Sequence, residues 1–554
     1  MKGTRGREFV GSILLCVATV VAFFGAAAFR MPVYEPVHGY LFNEVRIRPE
    51  RSPLDRGGQL VLHSDAGGVD LALGADGRWI AYGPEVRLNI EPDRRSIAHL
   101  LSTPISLNWR HPLFGLPEAW VARYAERDTQ GRSGPVKLHT KVFADHGDLP
   151  VLSLVIPTGS LLDPDTGLMV VGNAIFHAPE KVLETDRTDP RWWKYPGNFH
   201  MRGKAWEREG IVQLLDGSGE EVFQSTVDVR INGQMTRAFP QHALRLEFPE
   251  RVAEDLFGEE AKNGYQSLVL RSAGNDQIKA MLRDAYQHDL CKGLPFDVSG
   301  HRTCVVYING AYWGVHHIRH RMDDHELARR YGVKKKHITI LEDEARYYRG
   351  DPALISEFEH LAYRSREWNG KDPQWLDTLN ARIDVDGFLY YMATQMIVAN
   401  MDWPGQNVKF WRYTGNPKAG SHLDGRWYFI MGDSDLGYGA AADAKTDLFL
   451  RVKAQEVPIT WIFRALLRNG SVRAHFITIA RELANGPFSA VRSLERLDRF
   501  VAHMAPEMER HTQRWRRPSN VATWQREVEV MRIFATERQQ EVLDQLNAFE
   551  KKGN

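Results

Sequence analysis

Asp402 is followed five positions later by Asn407, and after two apolar stretches the chain reaches Asp433-Ser434-Asp435. These residue types, in this order, can carry out phosphoryl transfer. A carboxylate kept off the metal can orient a hydroxyl nucleophile or accept its proton. An amide oxygen and one or two further carboxylates can hold a hard divalent cation together with phosphate oxygens. In this reading Asp402 is the catalytic base, and Asn407, Asp433 and Asp435 are ligands for Mg²⁺ or Mn²⁺ bound with ATP. Each part is weak alone, because Asp-x-Asp in a loop is more often a turn cap or a solvent-facing pair.

The surrounding sequence supplies a way to bring these groups together. Residues 386–399 carry apolar side chains at helical spacing behind Asp384, a candidate N-cap. Pro404-Gly405 turns the chain between Asp402 and Asn407. Val408–Tyr413 and Trp427–Met431 then read as two strands of a hairpin, with Asn416-Pro417 in the connection. Such a hairpin returns Asp433 and Asp435 to the neighbourhood of Asp402 and Asn407.

A positive half is also available. Arg230, Arg237, His242 and Arg245 fall on or between adjacent strands around Gly233, and Arg271, Arg283, Arg319 and Arg321 are further ligand candidates. The guanidinium fork matches phosphate oxygens, so one or two inward-facing copies suffice for a nucleotide. The alternative for each is a solvated charge or a pair with Asp284, Asp323 or Asp324. His316, His317 and His320 lack the carboxylate or cysteine spacing of a zinc site. No Gly-x-x-x-x-Gly-Lys-Ser/Thr loop is present.

The 554 residues exceed what one core usually serves. A formal charge of +1 argues against a nucleic-acid partner, which would need a segregated basic field. Lys2, Arg5 and Arg7 precede an apolar run from Phe9 to Phe29, long enough to cross a bilayer. Residues 1–30 are therefore expected to form a single-pass anchor in a bacterial inner membrane, with the body in the periplasm. A cleaved signal, leaving a secreted or periplasmic body, is the alternative. Residues 31–50 read as a linker, 51–148 as a small β-sandwich, 149–455 as a sheet-rich half followed by helices, and 456–554 as a helical extension. The fold class is α+β. One helix is expected over 275–292, and Asn309-Gly310 signals a hairpin. Cys291 and Cys304 could pair or remain buried thiols.

From Leu149 to Gly439 the chain resembles the CotH kinase family, an atypical protein-kinase-like group. The resemblance is carried by Arg230-Ile231-Asn232-Gly233, Leu270-Arg271-Ser272-Ala273-Gly274-Asn275-Asp276, Leu282-Arg283-Asp284, Val306-Tyr307-Ile308-Asn309-Gly310, Asn400-Met401-Asp402 with Asn407, and Gly432-Asp433-Ser434-Asp435. It implies a two-lobed kinase-like domain. It also implies ATP-dependent phosphorylation of serine or threonine in a protein, with Asp402 as base and Asn407, Asp435 and Asp433 at the metal. The preceding sandwich looks like the small β domain at the end of some hexosaminidases. Two positions depart from the family pattern: His242 stands where a phosphate-binding lysine is expected, and Arg319-His320-Arg321 replaces Arg-Glu-Arg. The expected partner is an envelope protein or glycan, with the oligomeric state open. The alternatives are an inactive binding or assembly protein of the cell envelope and a metal-dependent enzyme acting on envelope glycans.

Overall fold

Alternating apolar residues build the first strands. A computed structural model describes residues 46–47, 58–65, 67–91, 100–112, 115–177, 190–258 and 263–552. Strands β1 (Arg46–Ile47), β2 (Gly58–His63), β3 (Gly68–Leu73), β4 (Ile80–Tyr82), β5 (Glu85–Ile90), β6 (Ala119–Arg127) and β7 (Lys137–Val142) form two antiparallel sheets, ordered β1-β2-β5 and β4-β3-β6-β7. Leu60, Leu62, Val69, Leu71, Val86, Trp120 and Tyr124 meet in a shared core, so the two sheets face one another as a sandwich.

The next seven strands close on themselves. They are β8 (Val151–Val155), β9 (Arg208–Leu215), β10 (Glu221–Asn232), β11 (Ala243–Val252), β12 (Tyr265–Arg271), β13 (His301–Ile308) and β14 (Ala311–His320). The barrel order is β10-β11-β12-β14-β13-β8-β9, and β8 with β13 is its parallel pair. Asn309 and Gly310, with φ of +51° and +85°, make the tight turn between β13 and β14 that their sequence signals. Val229, Ile231, Leu244, Leu246, Leu268, Leu270 and Ile318 fill the interior. The alternate positions therefore face out, and one cross-strand row reads Arg230, Arg245, Val269, Arg319.

A second sheet follows, made of β15 (Ile338–Glu342), β16 (Arg346–Arg349), β17 (Val408–Tyr413) and β18 (Trp427–Met431), in the antiparallel order β16-β15-β17-β18. Helix Val385–Ile397 packs beneath it through Phe388 and Tyr391, which lie against Phe429. Asp384 precedes this helix, its carboxylate 3.1 Å from Arg426 Nη1. The chain from Leu450 to Lys552 is helical apart from short connections. From the last helix, Arg538 donates to the carbonyls of Met396 and Ile397 at 2.9 and 2.8 Å, satisfying the end of the helix under the sheet. The whole is a mixed α/β architecture of N-terminal strands, a central barrel and C-terminal helices.

Two expectations are corrected here. The single helix over 275–292 is a 3₁₀ turn, Gly274–Ile278, and then a helix, Arg283–Leu290. Asp276 causes the break, because its carboxylate accepts from the backbone of Ala280 and Arg283 and competes with continuous helix. The membrane assignment is also corrected. Among the described residues no helix is long and apolar enough to cross a membrane; the longest, Val521–Lys552, carries charge along its length. The run Phe9–Phe29 lies outside the described residues, as does most of the linker. The described residues therefore give no support to the single-pass anchor, to the membrane as a partner or to the inner-membrane and periplasmic placement built on it, and none is carried further. Cys291 and Cys304 are both buried free thiols.

Candidate active site

Arg271 is the last residue of β12, and the chain turns sharply after it. Ala273 and Gly274 both take positive φ, +68° and +58°. A Cβ at Gly274 would lie 2.2 Å from Asp435 Oδ2, so this turn requires glycine. The close approach lets Asn275 grip Asp435 twice, through its backbone N–H to Oδ2 at 2.7 Å and its side-chain amide to Oδ1 at 3.3 Å.

β18 delivers the other side. Asp297, ahead of β13, exchanges backbone hydrogen bonds with Phe429 and Met431 and so holds β18 beside helix Arg283–Leu290. His288 of that helix donates from Nε2 to the Gly432 carbonyl at 3.0 Å and accepts the Ser299 N–H at Nδ1. Asp433 and Asp435 follow directly. Arg271 Nη2 lies 2.5 Å from Asp433 Oδ1 and 3.4 Å from Asp435 Oδ2. Its Nε is 3.3 Å from Asp284 Oδ2. Asp284, buried at the start of the helix, also pairs with Arg319 and accepts from the Ser434 backbone at 3.1 Å.

The loop after helix Val385–Ile397 completes the acidic group. Asn407 donates its side-chain amide to Asp402 Oδ2 at 2.9 Å. Asn400 accepts the Asp402 N–H at 3.3 Å and donates to the Asp433 carbonyl at 3.1 Å, tying the two carboxylate segments together. A Cβ at Gly432 would lie 2.2 Å from the Asn407 carbonyl oxygen, a measure of how closely β18 passes this loop. Asp402, Asn407, Asp433 and Asp435 thus share one region, with Arg271 against the last two.

The electrostatics follow from this crowding. Burial, and then the Asp433 charge, hold the Asp402 carboxyl above the usual range, against the Asn407 hydrogen bond. Burial and Asp433 push Asp435 well above its ordinary value, with Arg271 and Asn275 opposing. Asp284 goes the other way: burial disfavours its charge, but Arg271 and Arg319 outweigh burial and hold it well below. Burial also disfavours charge on Arg271, yet Asp284, Asp433 and Asp435 keep it firmly protonated.

The predicted anion ligands separate into two groups. Arg230 and Arg245 lie on the outer row with Arg319 and join Glu247, while Arg230 also pairs with Glu207 at 2.8 Å. β16 and β17 face them: Arg321 donates to the Tyr348 hydroxyl at 3.3 Å, and Lys409 Nζ sits 4.2 Å from that ring. Burial, then Arg321 and Arg230, depress Arg245 to about 9. Arg271 is the predicted ligand that meets the acidic cluster; Arg230 and Arg245 do not contact it, and nor do the rest. Arg237 donates to the carbonyls of Phe199, Ile231 and Met201. Arg283 pairs with Asp276 and Glu527. His242 is fully buried, its ring 3.1 Å from the Ile105 carbonyl, and burial holds it neutral with a pKa of about 4. His320 is buried against Phe257 and Tyr265.

Sequence reasoning gave Asp284 only the role of a counter-ion and overlooked Gly274, Asn275 and Lys409 as site residues. The first three stand in the segments 270–276 and 282–284, where polar residues interrupt apolar sequence beside Arg271 and Arg283. Among the described residues, no group of three or more His, Cys, Asp or Glu is arranged to hold a metal ion. Two carboxylates and an amide oxygen are nevertheless a hard-oxygen set, and Mg²⁺ commonly takes one or two protein carboxylates and completes its shell with phosphate and water. The donor chemistry fits.

A search of curated proteins returned no match. The family model described as CotH kinase protein matches residues 229–542. That span covers more than half of the chain and contains Arg271, Asp284, Asp402, Asn407, Asp433 and Asp435, and the chain therefore belongs to the CotH kinase family.

Proposed function

We propose that this protein is an ATP- and metal-dependent kinase-like phosphotransferase that acts on serine or threonine hydroxyls of a protein. The observation that carries this reading is the meeting of two polar pairs, Asp402 with Asn407 and Asp433 with Asp435, at the two ends of one hairpin, with Arg271 against the second. The barrel and the β15–β18 sheet with its helices would then be the two lobes, with the nucleotide between them.

Each residue has a chemical task in this reading. Asp402 orients the acceptor hydroxyl and takes its proton; a carboxyl raised above its usual range is a better base for that task. Asn407 commits its N–H₂ to Asp402, which leaves its amide oxygen for a cation. Asp433 and Asp435 would share that Mg²⁺ or Mn²⁺, which when bound neutralises charge on the phosphoryl group. Arg245, Arg230 and Arg321 present guanidinium groups on the barrel's outer face, where, on exchanging Glu207, Glu247 and Asp323 for phosphate oxygens, they would supply the positive charge that His242, buried and neutral, does not.

A nucleotide-binding protein without catalysis is the second reading, favoured by the absence of lysine at position 242. Purified protein given labelled ATP with Mg²⁺ or Mn²⁺ separates the two. Transfer of label to itself or to an acceptor protein, lost in Asp435→Asn, supports the enzyme. Metal-dependent nucleotide binding without transfer supports the second reading.

A further inference from the structure

The two carboxylates proposed to hold the metal already share a cation. A single nitrogen, Arg271 Nη2, lies 2.5 Å from Asp433 Oδ1 and 3.4 Å from Asp435 Oδ2. These oxygens belong to residues two apart, and Asp435 is only 2% exposed against 30% for Asp433. Two such carboxylates repel, and the buried one has little water to screen it. The guanidinium sits against both carboxylates and opposes that repulsion.

Arg271 is also held independently of that pair. Its Nε lies 3.3 Å from Asp284 Oδ2, and Asp284 is kept ionised jointly by Arg319. If Nη2 leaves Asp433 and Asp435, the side chain keeps its ion pair with Asp284, a charge contact rather than a hydrogen bond. Of the arginines of the outer row, Arg245 and Arg230 are engaged by Glu247 and Arg319 by Asp284, so Arg271 is the one in contact with the two aspartates.

We propose that Arg271 is the resident counter-cation of the Asp433–Asp435 pair, exchanged for the divalent cation when the site loads. On exchange it stays on Asp284 and turns its freed guanidinium edge to a phosphate oxygen of the nucleotide. The inference rests on the metal-and-nucleotide reading above and adds a positioning role for one residue. The cation and the guanidinium compete for the same two carboxylates, so the free protein binds metal alone weakly. An anion that receives Arg271 strengthens metal binding, and by linkage metal strengthens anion binding.

The test uses the full chain and Mn²⁺ alone, counted as free ion by electron paramagnetic resonance, and then Mn²⁺ with a non-hydrolysable ATP analogue. Arg271→Ala should tighten binding of Mn²⁺ alone by about tenfold or more, because the competitor is gone. Arg271→Lys, which keeps a cation, should stay near the wild type. Arg271→Ala should also melt at lower temperature without metal and recover most of that loss when Mn²⁺ is added, a rescue that guards against misreading a folding defect. Millimolar guanidinium should weaken Mn²⁺ binding in Arg271→Ala and leave the wild type unchanged. Equal or weaker Mn²⁺ affinity in a folded Arg271→Ala, with the wild type still binding Mn²⁺ and nucleotide, overturns this inference alone. Absence of Mn²⁺ binding in all forms, analogue present, overturns the metal reading and this inference with it.

Discussion

The side-chain amide of Asn407 donates to Asp402 Oδ2 at 2.9 Å, and Asn407 holds a backbone φ of +62° while doing so. Asparagine is among the few residues that adopt this conformation at low cost. The contact fixes one oxygen of Asp402 and lowers its proton affinity, in opposition to burial and to Asp433. A base must be deprotonated to act, so transfer should fall on the acid side at a pH above the ordinary aspartate range. Asp402→Asn should cost roughly two to four orders of magnitude in transfer rate, yet leave Mn²⁺ affinity close to the wild type. A pH–rate profile and a metal titration on the two proteins check both. Full activity in Asp402→Asn would remove it from the catalytic role.

Gly274 is a second point where geometry makes a definite statement. Its φ is +58°, and an added Cβ would lie 2.2 Å from Asp435 Oδ2 and 3.0 Å from Arg271 Nη2. Gly274→Ala should therefore destabilise the protein by about 1–3 kcal/mol, from backbone strain and the displaced carboxylate. It should weaken Mn²⁺ binding as well. Urea denaturation with a parallel metal titration measures both, and an unchanged midpoint would show that the turn has room the geometry denies.

Arg245 and Arg237 give opposite expectations although both are arginines around Gly233. Arg245 lies on the outer row facing Arg321 and Tyr348, whereas Arg237 gives three hydrogen bonds to backbone carbonyls. Arg245→Ala should raise the KM for ATP by about tenfold, the loss of one charge-assisted phosphate contact, with a small effect on melting. Arg237→Ala should lower the melting temperature, because buried acceptors lose their donor, and leave the KM for ATP of the remaining folded protein nearly unchanged. Steady-state kinetics and thermal melts of the two variants make the comparison.

What the sequence made legible is what local pattern controls. Val408–Tyr413 and Trp427–Met431 are strands at the expected residues, and the Asp402 loop and Asp433–Asp435 do meet at their ends. Closure of the barrel was not legible, since it depends on β8 pairing in parallel with β13 about 150 residues away. The sorting of arginines failed in part for a related reason. Leu244 and Leu246 point into the barrel, so alternation could have placed Arg245 outside. Arg237 sits in a 3₁₀ turn and Arg283 at a helix start, where no such parity applies. Of their partners, the Ile231 carbonyl and Asp276 are near in sequence, but the Phe199 carbonyl and Glu527 lie far along the chain.

The buried histidines make acid stability the last expectation. Burial is the leading cause that holds His139, His200, His242, His288, His316 and His317 near a pKa of about 4, and His511 near about 3. In the unfolded chain each returns to about 6.5. Between those values the unfolded state binds more protons than the folded one. Stability is then complete above about pH 6.5 and is lost as pH falls toward about 4, by about 1.4 kcal/mol per pH unit for each excess proton. Asp276, Asp384, Asp402 and Asp435, all held above their ordinary range chiefly by burial, act in the opposite sense. Seven histidines outnumber those four carboxylates, and the histidine window opens at higher pH. Urea unfolding of the metal-free protein should therefore show stability falling steeply from pH 6.5 to 5. His242→Gln, which keeps a donor for the Ile105 carbonyl, should reduce the slope by about one proton. A profile flat across that interval would mean that these rings reach water in the folded protein.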